Sequence, residues 1–546
     1  MKTAQWFRFS LVLLLVAGWA SACAPVRAGA PHPARTAEVK RPRNVILFIG
    51  DGMGPQQIGL FELWAREAAT SKYAGRETNY RSLANRGWMG LSLHSPAGAL
   101  VVDSACSATQ LATGQPAPPE VLGLNTRGDR VPTVLEAARA AGKATGLVSD
   151  TRITHATPGA FVAHVPHRSM ETVIAEQVVA SGADVMLSGG GQFFAPKGAD
   201  RSWSGGAYDP GSKRSDGRDL AAEARAAGYT VAFDIDGLEG AGPRVLGLFS
   251  KSGMSDAFGD RKVRETGDTT GSREPTLAEM THAALMRLEG DPDGFFLMVE
   301  AGQIDWAAHA NDAGWMLAEM ERMDSALAVI SSWMAGREDT VLAVTADHET
   351  GGFGLSYHTL DVPAAVELPG NGMMGMEFHP GYNFGRATTL DQIWAQKRSI
   401  GSAIDGLPTA KAERTAALAE RLSAITGVSI SAAEAARALS AEGGDSERAG
   451  ATKGPLFDPA DIDQLWQAYR PSERDRVSAM ASRALDDRRG VVWATGTHTH
   501  TPVPLVVVGP TDFAAGLGHL THHVLVGQAL FSWLGLPGPQ EPQSGR

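Results

Sequence analysis

The stretch Asn44-Val-Ile-Leu-Phe-Ile-Gly50 is an uninterrupted apolar run of strand length, and it ends directly on Asp51-Gly-Met-Gly54. A strand with one wet face alternates apolar and polar side chains, whereas one covered on both faces is apolar throughout. Runs of the same character recur at 144–149, 294–299, 340–346 and 503–509, and helical patterns at 131–141, 275–288 and 316–334 separate most of them. Strands alternating with helices predict an α/β fold with a mostly parallel central sheet covered by helices on both faces.

Around these runs, the composition sets the scale. At 546 residues, 43% hydrophobic and 20% charged, the chain has apolar material for a large core and no bias towards disorder. One principal domain is expected over 43–510, continuing to about 536. Residues 196–219, dense in Gly, Ser and Asp, read as a surface loop or mobile insertion. A larger departure lies over 355–490, where a Gly/Pro-rich loop at 368–385 precedes Ala-rich helical segments around 408–488. This is a helical insertion between the last two clusters of acidic and histidine residues. A formal net charge of −11 argues against a nucleic-acid-binding surface, which needs clustered Lys and Arg.

The N-terminus carries Lys2 and Arg8, a short apolar run over 11–17, and small residues up to Ala22-Cys23. That order is a secretory leader over 1–22, so the protein is expected to be exported, either periplasmic or anchored at the outer membrane. A lipoprotein-type cut that leaves a lipidated Cys23 and an ordinary cut after Ala20, Ala22 or Ala28 both fit. The one other cysteine is Cys106, so no intramolecular disulfide forms once Cys23 is removed or lipidated.

The chemistry-bearing residues gather where strands end. In open α/β sheets, ligands bind beyond the carboxyl ends of the strands. Asp51 follows the first run, Glu300 the run at 294–299, and Asp347-His348 the run at 340–346. Asp305 and His309, four apart, share one face if their segment is helical, and His498 and His500 precede the last run. Singly, each has an ordinary reading as a cap, turn former or surface pair. Together they point to a site of more than one metal ion, with mixed nitrogen and oxygen ligands. Asp103-Ser104-Ala-Cys offers a serine ahead of small residues that can begin a helix, whose amides attract phosphate. No GxSxG elbow accompanies it, which disfavours an esterase or peptidase of that kind.

As a set, these motifs resemble the alkaline phosphatase family across about 43–354 and 490–510. Asp51-Gly-Met-Gly, Asp103-Ser104-Ala, Thr154-His155-Ala-Thr157-Pro with Arg168 beyond it, Glu300 to His309, Asp347-His348-Glu and His498 occur in the family's order. The resemblance implies hydrolysis of small phosphate monoesters through a phosphoserine on Ser104, with Arg168 clamping phosphoryl oxygens. It implies one zinc on Asp305, His309 and His498, and a second zinc on Asp51, Asp347 and His348. A third ion, usually magnesium, would sit on Asp51, Thr157 and Glu300. Counting back from Gly509-Pro510 selects His498 over His500. His155 and Trp306 replace an Asp and a Lys of the enteric bacterial pattern; His155 is expected to support the third site by hydrogen bonding, and its imidazole makes zinc acceptable there too. Members are often dimers, so the resemblance allows a homodimer, although insertions alter that interface and the composition does not decide it.

His164, His167, His519, His522 and His523 are expected to have surface or packing roles. The rival functions are a phosphodiesterase of the same superfamily and a non-catalytic phosphate-binding lipoprotein. A sulfatase is disfavoured because no Cys or Ser followed by x-Pro-x-Arg is present at Ser104 or Cys106.

Overall fold

The computed structural model describes residues 41–266, 273–365, 377–440, 473–486, 488–510 and 516–538. The leader over 1–22, Cys23 and parts of the loop at 368–385 and of the helical stretch at 408–488 lie outside the described residues. Among the described residues, no helix is long and apolar enough to cross a membrane.

The strands in chain order are β1 Asn44–Gly50, β2 Trp88–Leu93, β3 Ala144–Arg152, β4 Val185–Gly189, β5 Thr230–Ala232, β6 Val245–Leu248, β7 Phe295–Ala301 and β8 Thr340–Thr345. They continue with β9 Glu349–Thr350, β10 Phe353–Leu355, β11 Val491–Trp493, β12 His498–Thr499, β13 Val503–Val508 and β14 Leu520–His522. Ten of them form one sheet in the order β14-β2-β13-β8-β1-β7-β3-β4-β6-β5. Pairing is parallel except for β13, which runs antiparallel to both β2 and β8.

β1 lies near the middle, between β7 and β8, and every residue of it is buried. Its side chains alternate between two cores. Ile46 and Phe48 pack on one face with Trp64, Leu285 and Met320, whereas Val45, Leu47 and Ile49 pack on the other with Leu111, Ile174 and Leu530. A period of two with both faces covered produces the unbroken apolar run in the sequence.

The five runs read as strands are β1, β3, β7, β8 and β13. The sheet gains β2, β4, β5, β6 and β14, which are three to six residues long. Runs so short give periodicity too little length to act on, and their pairing is decided by tertiary contacts. Residues 196–219 are anchored rather than merely superficial. Arg214 is buried and donates to the carbonyls of Thr172 and Phe193 and to the carboxylate of Glu176.

Beyond β10, the helices Lys411–Thr426, Ala432–Leu439 and Glu473–Asp486 and the turn Ile400–Ala403 share a separate small core. Leu418, Leu422, Ala435, Val477 and Leu485 are buried in it. This helical cap has its own apolar interior rather than extending that of the sheet.

Candidate metal centre

The parallel strands β1, β7 and β8 deliver their carboxyl ends to one edge of the sheet, with Ile49 level with both Glu300 and Thr345. Asp51 and Asp347 emerge just beyond that edge, and Glu300 lies at it; all three are fully buried. Because β13 runs the other way, the residues that precede it reach the same edge. This is why His498 comes before a strand while its neighbours in space follow strands. β12 pairs antiparallel with β9, setting His498 opposite Thr350. The rings of His498 and His348 stack with centroids 3.5 Å apart.

Three groups of ligand atoms converge here: Asp305, His309 and His498; Asp51, Asp347 and His348; and Asp51, His155 and Glu300. Within each group the atoms lie within 4.8 Å of one another. In the first, Asp305 and His309 come from one turn of the Gln303–His309 helix, 3.3 Å apart. His309 donates from Nδ1 to the Gly496 carbonyl at 2.7 Å, and His498 from Nδ1 to the Val102 carbonyl at 2.9 Å. Those bonds fix the tautomers and turn both Nε2 atoms inward, 3.1 Å from each other. Against the burial that would lower it, Asp305 raises His309 above the usual imidazole range, so the two facing nitrogens beside that carboxylate suit a shared cation, either a proton or a metal ion.

In the second group, Thr350 donates to Asp305 at 2.5 Å and accepts from His348 Nδ1 at 3.2 Å. The His348 Nε2 lone pair therefore faces Asp347 at 3.1 Å, Asp51 at 3.6 Å and the Ser104 hydroxyl at 3.1 Å. Burial, followed by the neighbouring His498, holds His348 well below the usual imidazole range, so it is neutral. Burial also drives the carboxylates up: Asp347 to about 7, with Asp305 adding to it, and Asp51 well above its ordinary range, with Asp347 adding to it. Like charges packed without water are unfavourable unless cations compensate them.

In the third group, Ser149 and Thr151 donate to Glu300 Oε2. Among the described residues, Glu300 Oε1, both Asp51 oxygens, Asp347 Oδ2, Thr157 Oγ1 and His155 Nδ1 are buried without a hydrogen-bond partner. Native interiors rarely leave such atoms unmet, and a cluster of them around converging carboxylates fits metal ions. The His155 ring supplies one atom of this group.

The serine sits at the first position of the Ser104–Thr113 helix and is buried. Asp103 caps that helix by accepting from the Ala105 and Cys106 amides. It also accepts from Arg168 Nη1 at 3.0 Å, and Arg168 Nη2 lies 3.2 Å from His155 Nε2. Against the burial that would raise it, Arg168 and the amides of Glu120 and Cys106 hold the Asp103 carboxyl below its ordinary range. Arg168, His155, Trp306, His309 and His498 line a cleft of about 1040 Å³. A model of the family described as alkaline phosphatase matches residues 42–378. The chain belongs to the alkaline phosphatase family.

Known members of this family of phosphoric monoester hydrolases align with it over much of their length. Alkaline phosphatase 4 of Bacillus subtilis is 33% identical over 344 residues, which are 60% of this chain and 67% of that one. Streptomycin-6-phosphate phosphatase of Streptomyces griseus is 35% identical over 385 residues, 62% of this chain and 78% of that one. The crystal structure of Thermus thermophilus alkaline phosphatase superposes with a TM-score of 0.71 at 27% identity, covering 92% of this chain and 93% of that chain. The family model ends before the helical cap and before His498.

Every residue named from the sequence as a ligand, nucleophile or clamp lies at this one edge of the alkaline-phosphatase sheet or lines the cleft beside it. His500 stands apart, 3.4 Å from Ser95. His523 is a packing residue that bridges the Ser92 hydroxyl and the Asp347 carbonyl. The supporting hydroxyls of Ser149, Thr151 and Thr350 carried no sequence signal.

Proposed function

We propose that the protein hydrolyses phosphate monoesters through a phosphoserine formed on Ser104. The observation that carries this is the Ser104 hydroxyl at a helix N-terminus, 3.1 Å from the inward-facing Nε2 of His348 and beside the buried Asp51 and Asp347 carboxylates. Asp305, His309 and His498 would hold one zinc ion and Asp51, Asp347 and His348 another. Asp51, Thr157 and Glu300 would hold a third ion, magnesium or zinc, with His155 as a further donor. When bound, these ions supply positive charge that lowers the pKa of the serine and of the attacking water and neutralises the phosphoryl group.

Ser104 Oγ, having given up its proton, attacks phosphorus; the bond to the ester oxygen breaks and the alcohol leaves with a proton. Water then cleaves the phosphoserine, releasing phosphate and restoring the hydroxyl. Arg168 offers two guanidinium N–H groups to phosphoryl oxygens, and Asp103 and His155 fix the plane of that fork. The Ala105 and Cys106 amides that open the Ser104–Thr113 helix serve Asp103, so the helix contributes its dipole rather than those N–H groups to a bound dianion. The catalytic domain would extend over 43–510 and on to about 536, with 355–490 as an insertion. The leader at 1–22 supports export, with Cys23 as the lipid-anchor candidate.

The test is hydrolysis of a chromogenic phosphate monoester and the matching diester at alkaline pH by the protein from residue 24 onward. Monoester turnover that is lost with chelator, restored by zinc and magnesium, and lost in Ser104→Ala is expected. Preference for the diester, or turnover indifferent to chelator, contradicts the proposal.

A further inference from the structure

The Gln303–His309 helix, which carries Asp305 and His309, runs into a turn at Asn311. Asn311 is fully buried, and its φ of +51° lies in the left-handed region that residues other than glycine seldom adopt. The turn redirects the chain into the Ala313–Trp333 helix, which Asp312 caps. Asparagine tolerates such a backbone better than most residues, but glycine meets it at least as well. What asparagine adds is a side-chain amide, and both of its ends are bonded.

Asn311 Nδ2 donates to the Ala308 carbonyl at 2.9 Å and to the Thr495 carbonyl at 3.0 Å, and Oδ1 accepts from Arg483 Nε of the helical cap at 3.0 Å. Ala308 directly precedes His309, and Thr495 stands shortly before His498. The next carbonyl after Thr495, that of Gly496, accepts from His309 Nδ1 at 2.7 Å. Two consecutive carbonyls of the segment leading to His498 are thus held by Asn311 and His309. On its other side the same segment is tied to the chain after β9, where the Gly351 amide donates to the Thr497 carbonyl at 2.9 Å.

The separation of the two segments decides whether His309 and His498 can share one ion. Their Nε2 atoms are 3.1 Å apart. Two nitrogens on one tetrahedral zinc, each about 2.0–2.1 Å from it, lie roughly 3.3 Å apart. A site about 1 Å too loose binds poorly, so the groups that hold the ligands from behind govern affinity along with the ligands themselves.

We propose that Asn311 is a positioning residue for the metal site of Asp305, His309 and His498. Its Nδ2 holds the His309 helix and the segment carrying His498 at the separation that a single ion requires. The inference rests on the metal assignment proposed above and adds a residue that supplies no ligand atom.

The test is zinc binding to the metal-stripped protein in excess magnesium, read by competition with a chromophoric chelator. Wild type should show two tight zinc steps, and the step abolished by His309→Ala marks the site in question. Asn311→Gly keeps the left-handed backbone and removes the amide; it should weaken that step by about tenfold or more and the other by less than about threefold. The second step, read in the same sample, reports that the variant is folded. Arg483→Met releases the cap and leaves Asn311 its two carbonyls, so both steps should stay within about threefold of wild type. An unchanged marked step in Asn311→Gly, equal weakening of both steps, or the same loss in Arg483→Met overturns the inference while leaving the metal assignment standing. Absence of stoichiometric zinc binding in wild type, or of any step lost in His309→Ala, overturns both.

Discussion

At the scale of single residues, Arg168 is the most informative position after the serine. Its two nitrogens reach Asp103 and His155, so the guanidinium is preorganised before a phosphoryl group arrives. Arg168→Ala should lower kcat/KM for a monoester about 100-fold, the loss of ~3 kcal/mol expected when a charge-assisted bidentate contact to the transition state goes. Arg168→Lys should recover only part of this, because an ammonium cannot present a planar fork; steady-state kinetics on both variants checks the order. Cys106 gives a contrasting expectation. It is fully buried, and burial pushes its thiol up, so it should resist iodoacetamide in the native protein and react once urea unfolds it.

What the sequence disclosed at this scale has a physical basis. Asp51, Glu300 and Asp347 were legible because a carboxylate directly after an apolar run is conspicuous. Thr350, Ser149 and Thr151 were not, because a hydroxyl is at home almost anywhere and its importance lies in where its bonds go. Thr350 bonds to both Asp305 and His348, which belong to two different ligand groups.

Among the elements, the Val134–Ala140 helix starts with a capping box. The Thr133 side chain accepts from the Glu136 amide, and the Glu136 carboxylate accepts from the Thr133 amide. Burial would raise that carboxyl, but hydrogen bonds with His164 and Thr133 and the partner Arg130 bring it down to about 2, below its ordinary 4.5. A carboxyl lowered on folding stabilises the fold fully above its unfolded pKa and loses that contribution as pH falls through the folded value. Glu136→Gln should therefore cost about 1–2 kcal/mol near pH 7, after allowance for solvent screening, and the difference should shrink as pH drops from about 5 towards 2. Urea melts of both proteins across that range measure it.

Asp312 is the corresponding test at the cap. Asp312→Ala strips the acceptor from Gln396, Ile400 and Trp315 together, which should cost about 2–4 kcal/mol and expose the cap to limited proteolysis first. Strands β1, β3, β7, β8 and β13 were readable as elements because burial on both faces leaves an apolar run. The cap's position was not, since amphipathic helices reveal that they pack but not against which partner.

For the whole molecule, the sheet edge concentrates buried carboxylates and imidazoles, an arrangement that bound cations would stabilise. Metal ions that bind the folded chain and not the unfolded one should stabilise it by roughly 4 kcal/mol per site at a thousandfold excess over Kd. Chelation should therefore lower the thermal midpoint by several degrees, and zinc with magnesium should restore it in a concentration-dependent way; differential scanning calorimetry reads both. The same stabilisation is expected in Ser104→Ala, which removes the nucleophile and none of the ligands.

The central claim is that phosphate passes through a covalent bond to one hydroxyl, and trapping tests it most directly. The protein is mixed with excess phosphate monoester, quenched in acid, digested and examined by mass spectrometry. A phosphoryl group on the peptide carrying Ser104, absent from Ser104→Ala, is the predicted result. Sustained turnover in Ser104→Ala, or a label on any other residue, would contradict the account.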